Sequence, residues 1–147
     1  MNIETVDYDP PESLMSGRIV LVTGAGSGIG RVVSMALAQY GATVVLLGRS
    51  RNKLENVNDT IVAAGYPQPA IIEADLEKLT WDDYLSLAST LDAEFGRLDG
   101  LLHNAASLPY LSRVKDYESI DWLKVLQVNL NAPFLLTQAC LPLLTAA

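Results

Sequence analysis

The fold of this 147-residue chain is decided by the stretch Thr23-Gly24-Ala25-Gly26-Ser27-Gly28-Ile29-Gly30. This stretch follows the β-branched apolar run 19–22 and precedes a helical pattern over 31–40. A strand, a glycine turn and a helix in this order favour phosphate binding, because the helix N-terminus offers free N–H groups and the positive end of its dipole. The stretch therefore predicts a turn that binds the phosphates of a dinucleotide.

The spaced glycines of this turn have separate predicted roles. Gly24 allows a sharp turn out of the strand, Gly28 allows the backbone to approach a pyrophosphate, and Gly30 allows the next helix to pack closely. Thr23 and Ser27 add hydroxyl groups that can bond within the turn or to phosphate. The spacing G-x-x-x-G-x-G differs from G-x-G-x-x-G, and the G-K-(S/T) end of a P-loop is absent. A glycine-rich turn without a ligand stays open as the alternative.

The composition indicates one globular domain. Half of the residues are apolar, and the length is sufficient to bury a sizeable core. The net charge of −7 argues against a nucleic-acid partner, because no basic cluster is available to neutralise a phosphate backbone. We expect no membrane partner either, since no apolar run reaches membrane-spanning length.

The cysteine count and the N-terminus indicate a cytoplasmic protein. Cys140 is the single cysteine, which rules out an internal disulfide, and its apolar helical surroundings favour a buried structural thiol. The acidic N-terminus lacks the basic and apolar regions of a signal peptide.

The chain divides into a short arm and one domain. Residues 1–16 contain Pro10-Pro11 and little periodicity, and we interpret them as a flexible N-terminal arm. Residues 17–147 alternate predicted strands with predicted helices, which implies an α/β fold with a parallel sheet and right-handed crossovers. The predicted strands are 18–23, 42–47, 70–74 and 100–103. The predicted helices are 27–40, 50–64 capped by Ser50, 80–95 opened by Thr80, and 120–144 with a bend near Pro133 or Pro142.

Three motifs give the chain a resemblance to a known family. The segment 23–30 matches T-G-x-x-x-G-(I/L)-G, the segment 98–106 resembles D-x-L-V-N-N-A-G, and the segment 128–131 resembles V-N-L. In this order they resemble the short-chain dehydrogenase/reductase family over residues 17–147. The resemblance implies the N-terminal, cofactor-binding part of a member, with an incomplete Rossmann-type parallel sheet, flanking helices and the strand order 3-2-1-4.

The resemblance also implies an activity. Members bind NAD or NADP and transfer a hydride between the nicotinamide and a small alcohol or carbonyl substrate. The family's Ser and Tyr-x-x-x-Lys pair lie beyond the matched region, and none of the six tyrosines here has a lysine four residues later. We therefore expect a dinucleotide-binding domain that is truncated before the catalytic Tyr-x-x-x-Lys region and is inactive alone.

The end of the second predicted strand favours NADP over NAD. An NAD site usually places a carboxylate here to bind the ribose 2′-OH, whereas this chain has Gly48 followed by Arg49. An arginine accommodates a 2′-phosphate, which a carboxylate would repel. The alternative is that Arg49 is a solvated residue at the start of a helix. Arg51 is a weaker second candidate.

The resemblance extends the cofactor site to the later strands. Asp75, after the third strand, resembles the aspartate that meets the adenine ring, although a turn aspartate before a helix is the alternative. Asn104 follows the fourth strand, where open sheets bind ligands, and Ala106 replaces the family's usual glycine. The predicted cofactor-binding set is Thr23, Gly24, Ser27, Gly28, Ile29, Gly30, Arg49, Asp75, Leu76, Asn104, Ala105 and Ala106.

Asn129 is the catalytic candidate in this chain. It resembles the helix asparagine that, in the family, holds a water in a proton relay to the lysine. The alternative is that Asn129 causes or satisfies a local helix break. His103 is the sole histidine, which excludes a metal site built from several histidines, and a structural role is favoured for it.

The last predicted helix carries an apolar stripe, and the corresponding helix contributes to a subunit interface in the family. The stripe includes Trp122, Leu123, Leu126, Leu130 and Phe134. We therefore expect a homo-oligomer.

Two other classes of protein stay open as alternatives. The first is a non-catalytic NADP-binding or protein-interaction module. The second is a methyltransferase-type nucleoside fold, which the second and third motifs disfavour.

Overall fold

Four parallel strands form the sheet at the centre of the structure, a computed structural model that describes residues 9–147. The strand order is β3-β2-β1-β4, and every neighbouring pair is parallel. The Rossmann-type sheet order expected from the sequence is thereby confirmed. The strands are β1 Ile19–Thr23, β2 Thr43–Gly48, β3 Ala70–Glu73 and β4 Gly100–Leu102.

The two inner strands, β1 and β2, are mostly apolar and buried, as expected for strands that are covered on both faces of the sheet. Leu21, Val45 and Leu47 face one side, where they pack against α3 and α5. Their neighbours Val44 and Leu46 face the other side, in the cluster that includes residues of α1 and α2. The helices are α1 Gly28–Gln39, α2 Arg51–Ala63, α3 Trp81–Phe95, α4 Ser119–Leu126 and α5 Ala132–Thr145.

The ends of the first three helices follow from the local sequence. Gly41, Gly65 and Gly96 stand just after them with φ values of 95°, 80° and 67°, a left-handed conformation that ends a helix and favours glycine. Thr80 opens α3 with a reciprocal capping box to Asp83, as its position in the sequence indicates.

The helical region near the C-terminus is divided, and the break lies slightly earlier than either predicted proline. A π-helical turn, Gln127–Asn131, separates α4 from α5. Pro133 has no N–H to donate to the carbonyl of Asn129, so the backbone pairing is rearranged, and the N–H of Ala132 bonds the carbonyl of Gln127 instead. Pro142 lies inside α5, which continues through it to Thr145.

The first half of the arm predicted over 1–16 lies outside the described residues. In its described part, the N–H of Met15 donates to the carbonyl of Tyr40 at 2.9 Å. Met15 also contacts the core on the α1 side of the sheet. The flexibility of residues 1–16 stays a prediction.

Candidate dinucleotide-binding site

A crevice of about 940 Å³ opens where the carboxyl ends of the four strands meet. Its wall includes the glycine turn after β1, Arg49 after β2, Asp75 after β3 and Asn104 after β4. From β1 the chain proceeds to β2 and β3 on one side and to β4 on the other, so this edge contains the switch point at which open sheets bind ligands. The volume lies in the range of pockets that bind small molecules and cofactors.

Most of the residues predicted from the sequence line this crevice together. Thr23, Gly30 and Asn129 do not line it, although each contacts a residue that does. The cofactor-binding role of each residue stays a prediction. Those lining the crevice are Gly24, Ser27, Gly28, Ile29, Arg49, Asp75, Leu76, Asn104, Ala105 and Ala106.

The glycine turn needs its glycines for different physical reasons. Gly24 has a φ of 68°, and a Cβ added to it would lie 2.9 Å from the Asn104 side-chain nitrogen. A Cβ on Gly30 would overlap the carbonyl of Gly24 and the same amide of Asn104, so Gly30 is required by the turn and by the loop after β4. Gly28 has a φ of 52°, but a Cβ there would meet open space. Gly28 therefore borders open space in the crevice, where a ligand can approach its backbone.

The N-terminus of α1 is suited to an anion. Its first turn contains no acidic residue, and the side chain of Ser27, its N-cap, makes no capping bond. Both features leave the positive end of the helix dipole and the Ser27 hydroxyl available to phosphate oxygens.

Thr23 connects the ends of β1 and β4 through its buried hydroxyl. Its Oγ1 accepts hydrogen bonds from the N–H groups of Asn104 and Ala105, both at 3.0 Å, and donates to the carbonyl of Leu102 at 3.3 Å. The Asn104 side chain donates to the carbonyls of Thr23 and Gly24 at 3.0 and 3.4 Å. These bonds fix the loop after β4 against the glycine turn.

Asn129 holds the same loop from the opposite side. Its Nδ2 donates to the carbonyl of Ser107, and its Oδ1 accepts from the N–H of Ser107, both at 2.8 Å. The π-helical turn that contains Asn129 therefore supports the segment that follows Asn104, Ala105 and Ala106. The proton-relay role implied by the family resemblance stays a prediction.

Two of the three carboxylates that line the crevice have ion-pair partners. Asp75 forms an ion pair with Lys78 at 3.1 Å, and Asp121 forms one with Lys124 at 3.2 Å. Tyr110 also donates to Asp121 at 3.1 Å. Hydrogen bonds from Lys124 and Tyr110 lower the pKa of Asp121, which keeps this carboxyl ionised.

Sequence reasoning missed part of the wall. Lys53 lies in the first turn of α2, four residues after Arg49, and lines the same crevice. This spacing of two cations is visible in the sequence and could have predicted Lys53 as a site residue. Ser107, Asp121 and Lys124 reach the crevice only through the packing of the loop after β4 against α4, for which no local pattern exists.

His103 and Cys140 lie outside the crevice wall. The Nε2 of His103 lies 2.8 Å from the Thr137 hydroxyl, and burial lowers the pKa of the imidazole, so His103 is neutral near pH 7. Cys140 is buried, as expected, and burial raises its pKa to about 11. Within residues 9–147 no group of three or more His, Cys, Asp or Glu could hold a metal ion, and no helix there is long and apolar enough to span a membrane.

The fold defines a Rossmann-type domain with a crevice at the carboxyl ends of its strands. The family model for short chain dehydrogenases matches residues 18–147, and the chain belongs to that family. An uncharacterized oxidoreductase of Escherichia coli K12, YciK, is 44% identical over 137 residues, which are 93% of this chain and 54% of YciK. The chain thus spans about half the length of this curated relative.

Solved structures carry the same fold. A short chain dehydrogenase from Salmonella enterica serovar Typhi superposes with a TM-score of 0.92 at 43% identity, covering 95% of this chain and 58% of that one. A protein from Escherichia coli CFT073, crystallised in complex with NADPH, superposes with a TM-score of 0.90 at 45% identity, covering 94% of this chain and 57% of that one.

Proposed function

We propose that this chain is the cofactor-binding part of an NADP-dependent oxidoreductase, which transfers a hydride between the nicotinamide and an alcohol or carbonyl carbon. The observation that carries the proposal is the end of β2, where Gly48 and Arg49 line the crevice in place of a carboxylate. A guanidinium attracts the 2′-phosphate of NADP, whereas the 2′-OH of NAD would find no acceptor at Gly48. The complex of a similar protein with NADPH supports this choice.

Within this proposal, each part of the cofactor is assigned to one region of the crevice. The pyrophosphate would lie at Gly28 and the N-terminus of α1, where a Cβ is absent and N–H groups are free. Arg49 would hold the 2′-phosphate, and Asp75 with Leu76 would border the adenine. The loop that begins at Asn104 and continues through Ala105 and Ala106 would support the nicotinamide end.

When bound, the nicotinamide supplies or accepts the hydride. The remaining chemistry is the delivery of a proton to the substrate oxygen, a task that the family assigns to its Tyr-x-x-x-Lys pair. None of the six tyrosines of this chain has a lysine at that spacing. We therefore propose that the 147 residues bind cofactor without catalysis. Steady oxidation of NADPH by the pure chain with a panel of carbonyl substrates would contradict this.

A titration of NADPH fluorescence onto the purified chain tests the proposed cofactor. We expect saturable binding of NADPH, weaker binding of NADH, and a loss of NADPH affinity in Arg49→Ala. Arg51→Ala is the matched control, because Arg51 is bound to Glu55 at 2.8 Å and does not line the crevice. Equal binding of both cofactors, or equal losses in both variants, would refute the assignment of the 2′-phosphate to Arg49.

A non-catalytic interaction module is the second candidate function. Trp122, Leu123 and Phe134 on α4 and α5 are 53%, 60% and 65% exposed, which leaves an apolar surface near one side of the crevice. The same surface supports our proposal that the chain forms homo-oligomers. Sedimentation velocity of the wild type and of Phe134→Ser distinguishes a self-associating chain from a monomer.

A further inference from the structure

The first turn of α2 contributes a second cation to the crevice. Lys53 lines it beside Gly48, Arg49 and Ser50. A Cβ on Gly26 would lie 3.0 Å from the Cβ of Lys53, so the start of the Lys53 side chain rests directly against the glycine turn. A larger residue at position 26 would force α2 and this turn apart.

Two cations without an ion pair, Arg49 and Lys53, line the crevice at the end of β2. Of the three carboxylates that line it, Asp75 and Asp121 are bound to Lys78 and Lys124, and Glu77 has no ion-pair partner among residues 9–147. Arg51, the neighbouring cation of α2, is bound to Glu55. Within residues 9–147, neither Arg49 nor Lys53 has a carboxylate within ion-pair distance.

The hydroxyl between these two cations is also available. Ser50 is the N-cap of α2, but its side chain makes no capping bond. The first turn of α2 contains no acidic residue that would repel an anion. Two cations and a hydroxyl-bearing residue therefore line the crevice at the end of β2, beside Gly48, which has no side chain of its own.

We infer that Lys53 is a specificity-determining residue that binds the 2′-phosphate of NADP together with Arg49. The inference rests on the proposed function, since it concerns the same site. A phosphate monoester carries a charge of about −1.5 to −2 at pH 7, so one guanidinium leaves part of it unneutralised. The 2′-OH of NAD is neutral and forms no ion pair with either cation. Lys53 therefore adds to the preference for NADP rather than to affinity for dinucleotides in general.

The test compares NADPH and NADH affinities of the wild type, Lys53→Gln and Lys53→Arg by fluorescence titration. We expect Lys53→Gln to weaken NADPH binding about fivefold to tenfold, as for a charge-assisted contact on a solvated side chain, and to leave NADH binding unchanged. Lys53→Arg keeps the charge and should retain most of the affinity. Lys115→Gln is the matched control, because it removes the same charge from an exposed site outside the crevice.

The salt dependence gives an independent measurement. Added NaCl should weaken NADPH binding more steeply in the wild type than in Lys53→Gln, because one ionic contact has been removed. Equal losses for NADPH and NADH in Lys53→Gln would overturn the inference and assign Lys53 a structural role. Unchanged NADPH affinity in Lys53→Gln, with a loss in Arg49→Ala, would overturn the inference alone. A folded wild-type chain that binds neither cofactor would instead overturn the proposed function.

Discussion

The side-chain amide of Asn129 binds the backbone of Ser107 at two points, the N–H and the carbonyl, each at 2.8 Å. The residues lie 22 positions apart, in the π-helical turn and in the loop after β4. Because both hydrogen-bonding atoms of the amide are used, no other side chain of this length can replace it without losing one bond. This pairing determines where the loop over one end of the crevice lies.

Asn129→Ala should loosen this loop. Loss of the two bonds should lower the free energy of unfolding by about 1–2 kcal/mol. This is less than the loss of two buried hydrogen bonds would cost, because Asn129 is exposed. Amide hydrogen exchange at Ser107 should become faster. Asn131→Ala is the control, since Asn131 lies in the same turn and bonds only Gln127. Unchanged exchange at Ser107 in Asn129→Ala would contradict the assignment.

Gly24→Ala should prevent the crevice from forming. The substitution combines a φ of 68° with contacts of 2.9 and 3.0 Å to Asn104 and Ala105, and we expect a loss of more than about 2 kcal/mol, measured by urea unfolding. Gly65→Ala is the control, because Gly65 has a φ of 80° but open space around its Cα. Its cost should be about 1 kcal/mol, from the backbone alone. Equal costs at the two positions would show that the close contacts are unimportant.

Asp99→Asn should destabilise the protein in a pH-dependent way. The Asp99 side chain is 4% exposed and is bound by Arg97, by Arg18 at 2.7 Å and by the N–H of Ile19 at 2.9 Å. Burial raises its pKa, but these hydrogen bonds lower it more, so the pKa lies well below the usual range. We expect a loss of about 1–3 kcal/mol at pH 7.

The sign of the pH effect follows from the lowered pKa of Asp99. Its stabilisation is complete above the unfolded-state pKa of about 3.9 and declines as the pH falls toward the folded-state value. The difference in unfolding free energy between the wild type and Asp99→Asn should therefore shrink below about pH 4. Asp92→Asn removes an exposed charge on α3 and should show no such trend. A constant difference from pH 7 to pH 3 would contradict the ion-pair account.

Thr80→Ala should lower the free energy of unfolding by about 1 kcal/mol, because it removes the capping box of α3. The Thr80 hydroxyl accepts from the N–H of Asp83 at 3.4 Å, and the Asp83 carboxylate accepts from the N–H of Thr80 at 2.8 Å. Ser50→Ala makes a similar change at the N-cap of α2, where no capping bond exists, and should have little effect. Thermal denaturation of both variants gives the comparison.

The sequence predicted those parts of the site that depend on short segments. The glycine turn, the position of Arg49 after β2 and the start of α3 at Thr80 need only a few neighbouring residues for their geometry, and a local pattern is sufficient to find them. Ser50 shows the limit of such a pattern, since it occupies the N-cap without making the bond. The pairing of Asn129 with Ser107 could not be predicted, because it depends on how a loop packs against a helix after the sheet has formed.

The hydroxyl of Thr23 has a consequence for how the molecule unfolds. It lies at the end of the central strand β1 and binds two N–H groups of the loop after β4. The loop that lines the crevice after β4 is therefore bonded to the core strand β1. Because this loop is already ordered before a ligand binds, binding costs little conformational entropy there. Loss of the sheet and loss of the site should accordingly occur as one cooperative event.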